Sequence, residues 1–492
     1  MHYKILKINM NSSITENPLY PIANPRHIVF FGASNNFSSM GSLLLAATTD
    51  LGFEGPIYPV HRKDDLVQDL KAYRHVSELP EIPDLAVIVL PTHIVCETLE
   101  QCGKFGIRSA VVVSGGFKEV GGEGIELEKK LAGIAEKYQI RILGPNCLGV
   151  SNLYHKINTT PMPVECEPGF IGLVSQSGSF VAQMYAYLDQ FNLGFSTAFS
   201  VGNQLNVDII DCMRYLAECP HTKVIALYIE SIDRGEEFIQ AAREITPHKP
   251  IVALYVGGSE TGRRAAFSHT GSLSGPDELY EGAFQQSGVI RAHTITELFD
   301  YCGLLGSQPK PNGNNIAILT HSGGPGAVAA DGCGRLGLNL PTFTAKTCED
   351  LKEYIPHTGN VNNPVDLTFT RNPRDLLISI PEVLLEDEGV DILLIYLFMP
   401  EPMALRRMIS AGMTKEEAIQ LYNQMMDEVG DLFNELRKKI NKPIIGFTFR
   451  DLGEKLQQVF MDGGMPVFPS PDRAVKSINA LVQYYEYRKN LK

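Results

Sequence analysis

Short runs rich in valine and isoleucine alternate with helix-like stretches from His27 almost to the C-terminus, and this alternation constrains the fold more than any other feature. The first series comprises HIVFFG (27–32), PIYPV (56–60), LAVIVL (85–90), SAVVVSG (109–115) and IRILG (140–144), with helical stretches such as 92–104 and 124–138 between them. A second series begins near Gly169 with FIGLVSQSGSF (170–180), FSTAFSV (195–201), VIALYIE (224–230) and IVALYV (251–256). SQPKPNGNN (307–315) has linker composition, and a third series follows: IAILTHSGGPG (316–326), Pro364-Val365-Asp366-Leu367, ILLIYLFM (392–399), PIIGFTF (443–449) and a last helix from Pro471. Runs of this length and apolarity are buried on both faces, and their alternation with helices predicts parallel, doubly wound α/β sheets. A chain of 492 residues is too long for one core and divides into about three domains. Residues 1–24 show little periodicity and read as an extension.

Composition then removes whole classes of partner. The net charge is −13, and no basic cluster exceeds Arg263-Arg264 or Arg437-Lys438-Lys439. Nucleic-acid binding needs a positive face, which this chain lacks. Nine cysteines, an odd total without a CxxC pair, argue against both a disulfide framework and a structural zinc site. No metal ligand set is expected. MHYKILKINMNSSITENPLY lacks the apolar stretch of a signal peptide, and no run approaches the length of a membrane span. The expectation is a soluble, cytoplasmic protein.

Reactive groups in α/β proteins sit on the loops that leave the carboxyl ends of strands. One such loop dominates the sequence: GGSETGRRAAFSHTGSLSG (257–275) follows the run 251–256 and precedes the helix start Pro276-Asp277-Glu278. At its centre His269 is flanked by Ser268, Thr270 and Gly271, small neighbours that leave the imidazole accessible. Glu230 ends a neighbouring strand and is therefore within topological reach of that loop. GASNNFSSMG (32–41) joins a strand to a helix start, a geometry that presents amides to an anion. Its spacing is not GxGxxG, and no acid takes the ribose-binding role after the second strand. Arg62 and Lys63 there suit a 3′-phosphate or pyrophosphate. Ser175-Gln176-Ser177-Gly178 and THSGGPG (320–326) repeat one layout of strand, serine, glycine and helix, which points to a duplicated phosphate site.

Taken together these stretches resemble the α subunit of the ADP-forming (NDP-forming) acyl-CoA synthetases, relatives of the succinyl-CoA synthetase α subunit. The likeness covers residue 25 to the end, and its motifs keep the family's order. They are GASNNFSSMG, YPVHRK (58–63), PDLAVIVLP (83–91), SGGFKEVGGEG (114–124), LGPNCLGV (143–150), VSQSGSF (174–180), SVGNQLNVD (200–208), LYIES (227–231), SHTGSLSG (268–275), THSGGPG and NPVDLT (363–368). The resemblance implies a Rossmann-like CoA-binding domain (25–152), a ligase-type flavodoxin-like domain carrying the histidine loop (153–308) and a second such domain (309–492). CoA would meet Gly32, Ala33, Ser34, Gly41, Arg62, Lys63, Pro91, Ser114, Gly115 and Asn146. Phosphate would meet Ser175, Gln176, Ser177, Gly178, Ser322, Gly323 and Gly324.

The implied reaction interconverts acyl-CoA, phosphate and ADP with carboxylic acid, CoA and ATP. His269 carries the phosphoryl group and Glu230 orients its ring. The chain contains no ATP-grasp domain, so ADP/ATP with Mg²⁺ would bind on a separate β subunit in a hetero-oligomer. Two departures stand out: His61-Arg62 replaces the usual Asn-Pro, and Asn206 replaces a usual Asp. Two other readings compete, a CoA or acyl-CoA sensor without turnover and a partner-independent acyl- or carbamoyl-transferase. A sensor would not require both His269 and Glu230. Activity without a partner would mark the transferase. An NAD(P) oxidoreductase is disfavoured by the missing GxGxxG and ribose acid.

Overall fold

A computed structural model describes residues 13–164, 166–262, 264, 275–368, 372 and 374–491. Three parallel sheets carry the fold. The first contains β1 (Ile28–Phe31), β2 (Ile57–Val60), β3 (Leu85–Ile88), β4 (Ser109–Val112) and β5 (Arg141–Leu143), in the order β2-β1-β3-β4-β5. The second contains β6 (Gly149–Asn152), β7 (Ile157–Asn158), β8 (Ile171–Ser175), β9 (Phe195–Ser200), β10 (Val224–Ile229), β11 (Ile251–Tyr255) and β12 (Ile290–Ala292). Its order is β12-β11-β10-β8-β9-β6-β7, with β6 and β7 added antiparallel. The third contains β13 (Ile316–Thr320), β14 (Val365–Asp366), β15 (Ile392–Tyr396), β16 (Ile444–Phe447) and β17 (Val467–Phe468), in the order β14-β13-β15-β16-β17. Each parallel set thus reads 2-1-3-4-5, and the direction of the crossovers reverses beside its first strand. That reversal opens a crevice at the carboxyl ends, where such folds bind ligands.

The helices between and after these strands include α1 (Met40–Asp50), α2 (Thr92–Phe105), α3 (Glu123–Tyr138), α4 (Gly178–Asp189), α5 (Ile209–Glu218), α6 (Asp277–Ser287), α7 (Gly323–Arg335), α8 (Lys415–Lys439) and α9 (Pro471–Asn490). Their ends follow ordinary capping chemistry. Asp208 and Asp211 form a reciprocal capping box on α5, Thr414 and Glu417 do the same on α8, and Gly106 stops α2 with φ of 110°.

The chain divides into two compact units, residues 1–189 with 193–298, and 190–192 with 299–492. Within the first unit, one core is shared by the first two sheets: Phe30, Leu44, Val111 and Leu143 cluster with Val174, Phe199 and Leu227. The opposite face of the first sheet is covered by α2 and α3 around Val29, Ile88, Val112, Phe117 and Leu131. In the second unit Leu319, Ile395, Ile444, Phe433 and Phe460 form a separate core.

Two segments without a readable pattern belong to the first unit. Leu19, Ile22 and Ala23 are buried in the shared core, Asn24 Nδ2 donates to Tyr215 Oη (2.6 Å) and Asn17 Nδ2 to Glu218 Oε2 (2.8 Å). β6 pairs with β9, so residues 149–152 complete the second sheet.

The first two sheets are also sewn together by the loop that leaves β9. Gly202 has φ of 52°, and a Cβ there would lie 2.3 Å from the Pro145 carbonyl oxygen, so glycine is required twice over. Leu205 N donates to Gly144 O (3.0 Å). Asn206 meets the edge strand β5 with its whole amide: Nδ2 donates to Ile140 O (2.9 Å) and Oδ1 accepts from Ile142 N (2.8 Å). An aspartate could accept from Ile142 but could not donate to Ile140, which accounts for asparagine here. Asn206→Ala should lower the unfolding free energy by about 1–3 kcal/mol, the cost of leaving buried backbone groups unpaired. Asn206→Asp should lose less. Urea unfolding measures both, and an unchanged midpoint in Asn206→Ala would refute the edge-tie role.

Candidate functional site

The second sheet places its chemistry at the crevice between β8 and β10. These two strands pair in register Ser175↔Tyr228, so the turn after β8 and the residues after β10 emerge side by side. Glu230 is 6% exposed at this edge. Its position is set by Gln176, whose Oε1 accepts from the backbone amides of Glu230 and Ser231, the latter at 3.0 Å. Gln176 Nε2 donates to Ser231 O (2.8 Å), so the glutamine side chain acts as a splint across the crevice. Burial, and then the nearby Glu230 carboxylate, push the Tyr228 hydroxyl above its ordinary range.

Backbone donors in the turn are partly committed. Gln176 N donates to Tyr228 O (3.2 Å) and Ser177 N to Ser175 Oγ (3.1 Å), while Ser175 Oγ donates to Ser177 O (2.7 Å). The donors that a helix start leaves for a ligand are therefore those from Gly178 onward, the first turn of α4. The third sheet repeats this construction. Ser322 N donates to Thr320 Oγ1 (3.2 Å), Thr320 Oγ1 donates to Ser322 O (2.7 Å), and α7 begins at Gly323.

His269 and Ser268 lie outside the described residues, but both ends of their loop are placed. β10 and β11 pair in parallel, and Val256 N donates to Ile229 O (2.8 Å), which puts the root of the loop beside Glu230. Gly257 has φ of 134°, and a Cβ on Gly258 would meet Asp277 Oδ1 at 2.0 Å, so the exit helix α6 passes directly against the entry. Tyr255 Oη donates to Gly275 O (2.7 Å), and the Tyr255 ring stacks on Tyr280 with centroids 3.6 Å apart. Tyr280 Oη accepts from Ile232 N (3.1 Å), and burial and Tyr255 push its pKa to about 12. The loop thus leaves and returns at one point, over the carboxyl end of β11.

His321 follows β13 and is 9% exposed, with its ring 5.4 Å from that of Phe398. Burial holds its pKa down, and Asp366 acts in the opposite sense. It sits in a packed crevice rather than in a loop of small residues.

Expected CoA contacts line the carboxyl edge of the first sheet. Gly32 has φ of 97°, and a Cβ on it would lie 1.9 Å from Val89 O; a Cβ on Gly41 would lie 2.3 Å from Gly32 O. These contacts bring α1 down onto the turn after β1. Ala33 is buried, and the Ser34 amide donates to Ser42 Oγ (2.9 Å), a bond internal to the turn. Ser114 Oγ donates to Leu90 O (2.6 Å), next to Pro91 at the start of α2, and Asn146 N donates to Ser114 O (3.0 Å). Gly115 O accepts from Thr92 Oγ1 (2.5 Å). After β2, His61 Nδ1 accepts from Asp64 N (3.0 Å), a turn that leaves Arg62 and Lys63 exposed. Thus Gly32, Pro91, Ser114, Gly115 and Asn146 form one strip, with Arg62 and Lys63 at its flank.

Sequence reasoning gave no role to Lys118, Glu119, Glu128 and Asn203, which converge where the first two sheets meet. The local signals were that Lys118 and Glu119 lie within SGGFKEVGGEG and that Asn203 follows the glycine of SVGNQLNVD. Among the described residues no helix is long and apolar enough to cross a membrane, and no group of three or more His, Cys, Asp or Glu side chains is placed to hold a metal ion.

Comparison with known proteins agrees with this architecture. Residues 26–152 match the family of CoA binding domains and residues 168–305 the succinyl-CoA ligase-like flavodoxin domain. The α subunit of ADP-forming acetate–CoA ligase II of Pyrococcus furiosus is 38% identical over 461 residues, which cover 94% of this chain and 96% of that one. ADP-forming acetate–CoA ligase I of Archaeoglobus fulgidus is 36% identical over 460 residues, covering 94% of this chain and 63% of a longer protein. The dinucleotide-forming acetyl-coenzyme A synthetase 1 of Ca. Korarchaeum cryptofilum, solved with phosphate and ADP, superposes with a TM-score of 0.85 at 31% identity, over 96% of this chain and 98% of that one. The chain belongs to the ADP-forming acyl-CoA ligases, as an α subunit built of a Rossmann-like CoA-binding domain and flavodoxin-like ligase domains.

Proposed function

We propose that this α subunit uses the three carboxyl-end crevices for successive parts of one reaction. The observation that carries the reading is Glu230, buried and splinted by Gln176 beside the root of the His269 loop. The division at 152/153 and 308/309 then separates a CoA part, a phosphohistidine part and a second phosphate part.

CoA meets the strip from Gly32 to Asn146, with Arg62 and Lys63 on its phosphates. Phosphate oxygen attacks the acyl-CoA carbonyl carbon, the C–S bond breaks, and CoA leaves as the thiol. The first-turn amides of α4, at Gly178 and beyond, hold the phosphoryl oxygens, and the Ser322–Gly324 helix start offers the same chemistry. His269 attacks the phosphorus of the acyl phosphate, and the carboxylic acid leaves. Glu230 accepts the hydrogen bond from the other ring nitrogen, fixes the tautomer and stabilises the cation formed on attack. ADP then takes the phosphoryl group at a site on a separate ATP-grasp subunit, where Mg²⁺ would offset the phosphate charge. Cytoplasmic location fits the free cysteines and this use of ADP.

Calorimetry with CoA, dephospho-CoA and NAD should rank CoA tightest, and charge reversal at Arg62 and Lys63 should weaken it; preference for NAD would defeat the assignment. In the presence of the partner subunit, His269→Ala should abolish labelling from radioactive ATP, and the wild-type label should be acid-labile and alkali-stable. Persistent labelling of His269→Ala, or dependence on His321 instead, would remove His269 from its role. Glu230→Gln should slow labelling by ~10²–10⁴-fold, the range for a lost acid–base partner. Gln176→Ala should slow it by about 10–100-fold through misplacement of Glu230. Full-rate labelling in Gln176→Ala would show that the splint is dispensable.

A further inference from the structure

Asn203 is the centre of the seam between the first two sheets. It is 7% exposed. Its Nδ2 donates to Glu119 Oε2 (2.6 Å) and to Glu128 Oε2 (2.8 Å), and its Oδ1 accepts from Asn146 Nδ2 (3.3 Å). Its backbone amide donates to Pro145 O (2.8 Å) and its carbonyl accepts from Lys118 Nζ (2.7 Å). Both hydrogens of the side-chain amide, its oxygen and both backbone groups are therefore used. Every partner comes from the first sheet's side: the loop after β4, helix α3, or the turn after β5.

Those partners in turn hold the strip assigned to CoA. Glu119 Oε1 accepts from the amides of Gly116 (2.5 Å) and Phe117 (3.2 Å), and Glu128 Oε2 accepts from Lys118 N (3.2 Å). Asn146 lies against Gly115, where a Cβ would come within 3.2 Å of Asn146 Oδ1. Two carboxylates converge on one NH₂ group, an arrangement that requires a residue able to donate twice and add no negative charge. Asparagine supplies both properties; aspartate supplies neither.

We infer that Asn203 is a positioning residue for thioester chemistry, holding the Ser114–Phe117 loop and Asn146 of the CoA strip in register with the second sheet. The inference rests on the proposed function, in which thiol and acyl phosphate are presented by different sheets. In the synthetic direction the CoA sulfur forms a bond to the acyl carbon, the C–O bond to phosphate breaks, and the thiol proton leaves with phosphate. That step spans the seam, so its geometry depends on Asn203. Phosphorylation of His269 from ATP does not span it.

The test compares two half-reactions in the complete complex, using Asn203→Ala and Asn203→Asp. His269 labelling from radioactive ATP should change by no more than about twofold, and so reports that each variant is folded. Nucleotide-free formation of acetyl-CoA from acetyl phosphate and CoA should fall by ~10²-fold, the scale expected for an ångström of misplacement, with a raised KM for CoA. Asn203→Asp should be the worse variant, because it sets a third carboxylate against two others. Equal losses in both half-reactions would mean a general scaffold role and overturn the inference, as would undiminished acetyl-CoA formation. Absence of either half-reaction in the unsubstituted complex would overturn the proposed function and this inference with it.

Discussion

The structure depends on one topological constraint. In a parallel sheet ordered 2-1-3-4-5, right-handed crossovers place the helices that leave the first and second strands on opposite faces, and their divergence opens a gap above the first strand's carboxyl end. This chain builds that gap three times. Each is lined by the turn after the first strand and by the residues after the third: Gly32 against Val89, Gln176 against Glu230, and His321 against Phe398. Close backbone approach requires glycine at the first gap, a side-chain amide spans the second, and aromatic packing lines the third. The same architecture therefore presents different chemical groups according to what borders the gap.

Joining the first two sheets is a separate problem, solved with polar groups. Their shared apolar core fixes the general packing, but apolar contact is not directional. Direction comes from the loop after β9, where Gly202 permits contact, Asn206 completes the edge of β5, and Asn203 occupies the space between two carboxylates. Buried networks in which every donor and acceptor is satisfied specify one arrangement over near alternatives. A reaction that passes an acyl group between a thiol and a phosphate requires such fixed geometry.

Much of this was legible from the sequence because central strands of parallel sheets are apolar on both faces. Ile171–Ser175 and Ile392–Tyr396 are buried at every position and stand out as continuous runs. β6 and β7 do not, since Ser151, Asn152 and Asn158 are buried polar residues that break the apolar run; Asn152 Nδ2, for example, donates to Ala23 O (3.0 Å). The segment Leu19–Asn24 was hidden for a similar reason, because a single helical turn shows no period. Glu230 and the turn after β8 were readable from their place at strand ends. The bonding of the Gln176 side chain was not: it binds backbone 54 and 55 positions away, and no local pattern reports such a contact. Asn203 was quoted within a motif, yet its role depends on Glu119 and Glu128, which only folding brings to it.

Amide hydrogen exchange of the complex, with CoA and with phosphate added separately, tests most directly whether the gaps divide the chemistry. CoA should slow exchange at Gly32–Gly41 and Ser114–Phe117, and phosphate should slow it at the start of α4, Gly178–Phe180. Protection by both ligands at one gap, or protection confined to the amino-terminal edges of the sheets, would contradict the account.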